Sequence, residues 1–122
     1  MIPEQAFEAL FKAVLQDRDA DAALELWADD ADVTMWGSDL PERAKGRAQV
    51  HELLQSIAAS RSALTFRWDE HRAHTNGDTA WINASGSIAV NGSAPSPYRL
   101  TVVFTFDGET WKIHTFNGSI PA

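Results

Sequence analysis

The four histidines are the first residues of the sequence that could bind a metal or move protons. A protein metal site needs three or four ligands that converge on one point. His71 and His74 lie three residues apart on a predicted strand, so their side chains point to opposite faces. His51 lies beside the apolar stripe of a predicted helix, and His114 is predicted to face outward from the last strand. With no cysteine in the chain, the sequence predicts no metal site and no cofactor.

Arg99 is the charged residue whose position most favours a binding role. An arginine on a strand of a cupped sheet can hold a ligand carboxylate or enolate. The alternation of the strand, however, gives Tyr98 and Leu100 the face that is typical of a core, which directs Arg99 outward. There it would pair with Asp69, Glu70 or a partner chain. The sequence leaves both interpretations open.

The hexapeptide DVTMWG, residues 32–37, predicts a strand that ends in Met35 and Trp36. A thioether and an indole pack against ligands rather than move protons. The chain has five tryptophans, which fill a core or line a pocket for a flat or apolar small molecule. On a later predicted strand Trp81 alternates with Asn83, so the two share one face. That face is either a polar stripe inside the fold or a solvated outer surface.

Net charge excludes several classes of partner. The chain has 122 residues and a formal net charge of −7. Nine acidic and two basic residues fall within residues 1–32, and the remaining residues are neutral as a group. Such an acidic segment repels phosphate backbones and anionic lipid, so neither nucleic acid nor a membrane is an expected partner. There is no signal peptide and no apolar run long enough to span a membrane, which predicts a cytoplasmic protein.

Hydrophobic periodicity predicts one α+β domain over residues 1–122. Apolar residues at helical spacing predict helices over 3–17, 21–28 and 47–60, and 32–36 is the first strand. Three turn dipeptides, Asn76-Gly77, Asn91-Gly92 and Asp107-Gly108, then separate strands over 64–74, 79–90, 97–106 and 110–118. The simplest topology for these four strands is an antiparallel meander with the helices on one face.

This order and several short motifs resemble the SnoaL-like domains of the nuclear-transport-factor-2-like superfamily. The motifs are LWADDADV at 26–33, the Gly46-Arg47 step, GDTAW at 77–81, RLT at 99–101 and DGETWKI at 107–113. The resemblance implies a cone-shaped fold in which three N-terminal helices pack on a curved antiparallel sheet. It also implies a homodimer formed through the outer face of that sheet.

The resemblance implies the fold but not a known mechanism. Ketosteroid isomerase, a relative of this fold, uses an aspartate base and an oxyanion hole made of a tyrosine and a protonated aspartate. Alignment on LWADDADVTM places these three groups at Phe11, Met35 and near Val102, all apolar here. Many SnoaL-like relatives carry two histidines on the last strand, where this chain has Thr115 and Asn117. Acid–base catalysis of the ketosteroid-isomerase kind is therefore disfavoured.

We therefore expect a SnoaL-like protein that binds a small, mostly apolar molecule in the pocket of the cone. The predicted mouth is Phe11, Met35 and Trp36, and the predicted polar anchors are Trp81, Asn83, Arg99, Thr115 and Asn117. An isomerase, cyclase or lyase that acts on a small carbonyl or polycyclic substrate, using Arg99 and a histidine, is the alternative. A dimerisation module without a ligand is the third possibility.

Overall fold

Three helices precede most of the sheet in the computed structural model, which describes residues 1–121. Helix α1 covers Pro3–Phe11 and continues as a π-helical segment, Lys12–Gln16. Helix α2 is Ala20–Leu24 and α3 is Gly46–Ala59. The prediction for α2 was too long at its end, because the chain leaves the helix at Glu25 and Trp27 instead forms a β-bridge with Ile113.

Seven strands form one sheet. Their bounds are Thr34–Trp36 for β1, Arg43–Lys45 for β2, Leu64–Glu70 for β3, Ala73–Asn76 for β4, Thr79–Val90 for β5, Ser96–Phe106 for β6 and Trp111–Ser119 for β7. The order is β2-β1-β7-β6-β5-β3, and β4 also pairs with β5. The predicted turn at Asn91-Gly92 is confirmed: both residues have positive φ, of 52° and 72°, as tight hairpins require.

The α+β prediction and the meander β5-β6-β7 are confirmed. Two details differ from the expectation. β1 runs parallel to β7 rather than antiparallel, and the loop predicted after β1 contains β2, which pairs back on β1. The predicted strand 64–74 is two strands, β3 and β4, because residues 71–72 do not pair with β5, and a register shift between Trp68 and Glu70 precedes this gap. Such an interruption lets one strand bend around the core.

The helices cover one face of the sheet, which we call the inner face. Its largest fully buried side chains include Phe7 and Leu54 from the helices and Ile82, Phe104 and Ile113 from the strands. On β5 and β6 the inner residues alternate strictly with outward ones, so the Tyr98–Leu100 face is the core face, as predicted. In residues 1–121 no helix covers the opposite, outer face.

A β-bulge in β7 changes which residues face inward. Val103 pairs with Thr115, but the next residue, Phe104, pairs with Ile113, so His114 has no partner residue on β6. Before the bulge the inward residue is Ile113, and after it the inward residues are Phe116 and Gly118. An extra residue shifts the two-residue period by one. Thr115 and Asn117, expected on the inner face, therefore lie on the outer face.

The arginine of the Gly46-Arg47 motif has a structural role. Its Nη1 donates hydrogen bonds to the carbonyl oxygens of Trp27, at 2.8 Å, and Ala28, at 3.0 Å. The amide of Ala28 in turn donates to the carbonyl oxygen of Ile113, at 2.8 Å. The half-buried guanidinium thus fixes the segment after α2 between α3 and β7.

Replacing Arg47 by methionine should lower the free energy of unfolding by about 1.5–3 kcal/mol, because two carbonyl oxygens lose a charged donor. Urea unfolding followed by circular dichroism measures the change. Arg61→Met is the matched control, since Arg61 is exposed and makes no hydrogen bond among residues 1–121. Equal effects of the two substitutions would contradict the role given to Arg47.

Candidate functional site

A cavity of about 380 Å³ opens between the helices and the inner face of the sheet. It lies within the range of small-molecule sites. Its walls are mostly apolar and come from α1, the π-helical segment, α3, strands β1, β3, β5, β6 and β7, the β1–β2 loop and the residues after β7. The apolar side chains are Leu10, Phe11, Val14, Leu15, Met35, Ile57, Leu64, Phe66, Ile88, Val90, Phe116 and Ile120.

Aromatic rings form one wall of this cavity. The ring centroids of Phe11 and Phe66 are 5.1 Å apart, and those of Phe66 and Tyr98 are 5.2 Å apart in an edge-to-face arrangement. Phe116 lies 6.3 Å from Phe11. Rings at these separations fix one another's orientation. They present flat surfaces that suit a flat or apolar guest.

Tyr98 supplies a polar group from the inner face of β6. Its side chain is only 4% exposed, yet its hydroxyl has no hydrogen-bond partner among residues 1–121 while it lines the cavity. Gly118 makes room for it, because a Cβ at that position would overlap the hydroxyl oxygen. The hydroxyl faces the open cavity rather than a protein group, so a ligand in the cavity can hydrogen-bond to it.

The loop between β1 and β2 brings two carboxylates to the same cavity, those of Asp39 and Glu42. The amide of Gly37 donates to the carbonyl oxygen of Glu42 at 2.7 Å, and the amide of Asp39 donates to Glu42 Oε1 at 3.1 Å. Gly37 is needed here, because a Cβ on it would lie 2.7 Å from Glu42 Cδ. The loop therefore holds the Glu42 carboxylate in a fixed place.

Burial and neighbouring charges shift the pKa values of Glu42 and Tyr98. Burial raises the pKa of Glu42, the hydrogen bond from the Asp39 amide opposes the shift, and the Asp39 charge adds to it. Burial, followed by the charges of Glu42 and Asp39, raises the pKa of Tyr98 to about 12. Perturbed ionisable groups in a cavity are candidates for binding or chemistry. We call Asp39, Glu42 and Tyr98 the polar end of the cavity.

Two of the eight predicted site residues, Phe11 and Met35, line the cavity. Trp36 does not: it is 41% exposed and lies under the Arg43 guanidinium, whose Cζ is 4.5 Å from the ring centroid. Alternation explains this, since Met35 is the inward residue of β1 and its neighbour must face outward.

The five predicted polar anchors also lie on the outer face. On β5, Trp81 stacks on His74 at 5.9 Å, and Asn83 accepts a hydrogen bond of 2.8 Å from the Thr101 hydroxyl. Arg99 is exposed on β6, so the outward interpretation is the one the structure supports. The remaining two anchors, Thr115 and Asn117, follow the bulge in β7.

Sequence patterns missed the three residues of the polar end, and the reasons can be identified. Tyr98 shares a face with the core of β6, so periodicity placed it in the core without showing that its hydroxyl meets a cavity. Asp39 and Glu42 lie in a segment with no periodic pattern. Tyr98 is the only tyrosine of the chain, and that was the one available signal.

The histidines do not converge. His51 lies 2.7 Å from Asp21, His71 lies 3.6 Å from Glu8, and His114 lies 3.6 Å from Asp30. Within residues 1–121 no group of three or more histidine, aspartate or glutamate side chains could hold a metal ion. In the same part of the chain, no helix has both the length and the apolar character that crossing a membrane requires.

Comparison with known proteins relates this architecture to one family. The family model of the SnoaL-like domain matches residues 4–122. No curated protein matches the sequence.

Solved structures of similar shape include three from bacteria. A proposed dehydratase of the nuclear-transport-factor-2-like family from Streptomyces avermitilis has a TM-score of 0.83 at 22% identity, covering 98% of this chain and 93% of that one. A proposed ketosteroid isomerase from Parabacteroides distasonis has 0.73 at 20%, covering 99% and 89%. A cystatin-like protein of unknown function from Nostoc punctiforme has 0.76 at 11%, covering 97% and 87%. At these identities the likeness shows the fold alone.

The single tyrosine makes the polar end measurable. Ultraviolet titration of the folded protein should show Tyr98 ionising with a pKa of about 12, against about 10 in the urea-unfolded chain. Glu42→Gln should lower the folded value, because it removes a negative charge that disfavours tyrosinate. A folded-state pKa of about 10, with native circular dichroism retained, would contradict this description of the polar end.

Proposed function

Because the chain belongs to the SnoaL-like domain family, in which one fold serves many functions, we propose a function from its cavity. The protein binds a small, mostly apolar molecule whose polar group meets Tyr98, Glu42 and Asp39. The observation that carries this proposal is the unpartnered Tyr98 hydroxyl at the end of an apolar cavity of about 380 Å³. The homodimer stays a prediction, and Trp36 and Trp81 are the apolar side chains that it would cover.

The division of the cavity supports an oriented ligand. Contact with the apolar walls favours binding, because burying the hydrocarbon part of a ligand contributes about 25 cal/mol per Å² of apolar surface. The polar end orients the ligand. A ligand that covered the Tyr98 hydroxyl without hydrogen-bonding to it would incur the cost of an unmade hydrogen bond. A bicyclic aromatic ring with one polar substituent meets both requirements.

We expect 2-naphthol to bind the wild-type protein and Ile88→Trp to weaken this binding at least about tenfold, because the indole fills space in the cavity. Isothermal titration calorimetry measures the affinity. Arg99→Ala is the control on the outer face and should leave the affinity unchanged. The reverse pattern, with loss in Arg99→Ala and none in Ile88→Trp, would move the ligand to the outer face and overturn the proposal.

A second candidate function is proton transfer on a small carbonyl compound, as in an isomerase or lyase. Glu42 favours it, because burial raises its pKa and so makes it a stronger base than an exposed glutamate. The Tyr98 hydroxyl shares the cavity and could donate a hydrogen bond to a carbonyl oxygen that gains negative charge. Here the acid–base groups come from β6 and the β1–β2 loop rather than from Arg99 and a histidine.

This second function predicts exchange of the hydrogens beside the carbonyl of 2-tetralone in deuterated water, above the protein-free rate. The rate should rise with pH through the raised Glu42 pKa, because only the carboxylate accepts a proton. It should be lost in Glu42→Gln and lowered in Tyr98→Phe. Nuclear magnetic resonance follows the exchange. A rate equal to the protein-free one at every pH would exclude the enzyme while leaving binding intact.

A further inference from the structure

We propose that the ligand class of this cavity is small apolar amines, with the ammonium group held at the polar end by Asp39, Glu42 and Tyr98. This inference rests on the proposed binding function and narrows it. It follows from the signs of the charges around the cavity, from the absence of a counter-ion for them within residues 1–121, and from the unpartnered tyrosine hydroxyl.

The ionisable residues that line the cavity are all acidic. They are Asp39, Glu42 and Tyr98, and none of the lining residues that the structure describes is a lysine, arginine or histidine. A ligand carboxylate would therefore meet like charges at short range, whereas an ammonium group would meet opposite ones. The net charge of −7 adds a weaker attraction for cations at longer range.

The carboxylates at the polar end have no cation of their own. Within residues 1–121 neither Asp39 nor Glu42 forms a salt bridge, and the four pairs present involve other acids. Arg43 follows Glu42 directly, but its guanidinium lies over Trp36, which is not among the residues of the cavity. The charge of the site is therefore left for a ligand to neutralise.

The pKa of Glu42 reflects the lack, within residues 1–121, of a cation beside its carboxylate. Burial and the Asp39 charge raise the pKa of Glu42, so its ionised form is disfavoured without a ligand. A cation placed between the two carboxylates would offset the Asp39 charge and so lower the pKa of Glu42. Binding of an ammonium group is thus coupled to ionisation of Glu42, whereas binding of a neutral molecule is not.

Tyr98 gives the independent indication of a ligand. Its side chain is 4% exposed, and its hydroxyl faces the cavity without a partner among residues 1–121. The oxygen can accept a hydrogen bond from an ammonium N–H. The aromatic faces of Phe11, Phe66 and Tyr98 also attract cations and pack against hydrocarbon. One end of the cavity therefore suits the charge, and the rest suits the apolar body.

Three probes that share one ring system separate charge from shape. They are 2-(2-naphthyl)ethylamine, the corresponding alcohol 2-(2-naphthyl)ethanol, and 2-naphthylacetic acid, titrated calorimetrically at neutral pH and low salt. We expect the amine to bind at least about tenfold more tightly than the alcohol, and the acid to bind most weakly. In Asp39→Asn and Glu42→Gln the ratio of amine to alcohol affinity should fall towards one.

Glu109→Gln is the matched control. It removes the same charge from an exposed hairpin that is not part of the cavity, so the ratio should keep its wild-type value. Binding of the alcohol in each variant shows that the cavity is formed. A ratio that falls equally in Glu109→Gln and Glu42→Gln would assign the preference to net charge and overturn the inference.

The two proposals fail in different ways. If the alcohol binds and the amine binds no better, the amine inference is wrong and the apolar binding site stands. If the acid binds more tightly than the amine, the inference is wrong in sign. If none of the three probes binds, the binding function itself is overturned, and the inference with it.

Discussion

The bulge in β7 is the constraint on which the cavity depends. One extra residue at His114 moves Phe116 and Gly118 to the inner face and Thr115 and Asn117 to the outer one. Phe116 then forms part of the apolar wall. Gly118, without a side chain, leaves the space that the Tyr98 hydroxyl occupies. In a regular strand, Thr115 and Asn117 would face inward, and the cavity would have a different polar lining.

The polar end is destabilising for the empty protein. Glu42 is partly buried beside another acid, and the Tyr98 hydroxyl has no partner within residues 1–121. Neither feature helps the chain to fold. The loop from β1 to β2 nevertheless holds Glu42 there with hydrogen bonds from two backbone amides, one to its carbonyl oxygen and one to its carboxylate, and with a glycine beside its side chain. A preorganised binding site requires polar groups that are held rigidly in positions that do not favour folding.

Sequence periodicity was sufficient for the fold class and for the core face of β6. The 3.6-residue pattern located α3 to within one residue at each end. The two-residue pattern correctly assigned the core face of β6, because that strand is regular along its length. It failed in β7, where no residue type marks the position at which a bulge shifts the period. Periodicity also could not predict the conformation of the β1–β2 loop, because hydrogen bonds between Gly37, Asp39 and Glu42 decide where the two carboxylates lie.

The failed transfer from ketosteroid isomerase has a structural reason. Alignment compares positions, and at Phe11, Met35 and near Val102 this chain has only apolar groups. Phe11 and Met35 do line the cavity, so the resemblance located the pocket correctly even though the chemistry there is absent. The polar groups enter the same space from β6 and from the β1–β2 loop instead. A cone-shaped fold surrounds its cavity with many elements, so the acidic end can move around the wall while the cavity stays in place. For such a fold, we therefore infer the ligand class from the charges that line the cavity rather than from identity at aligned positions.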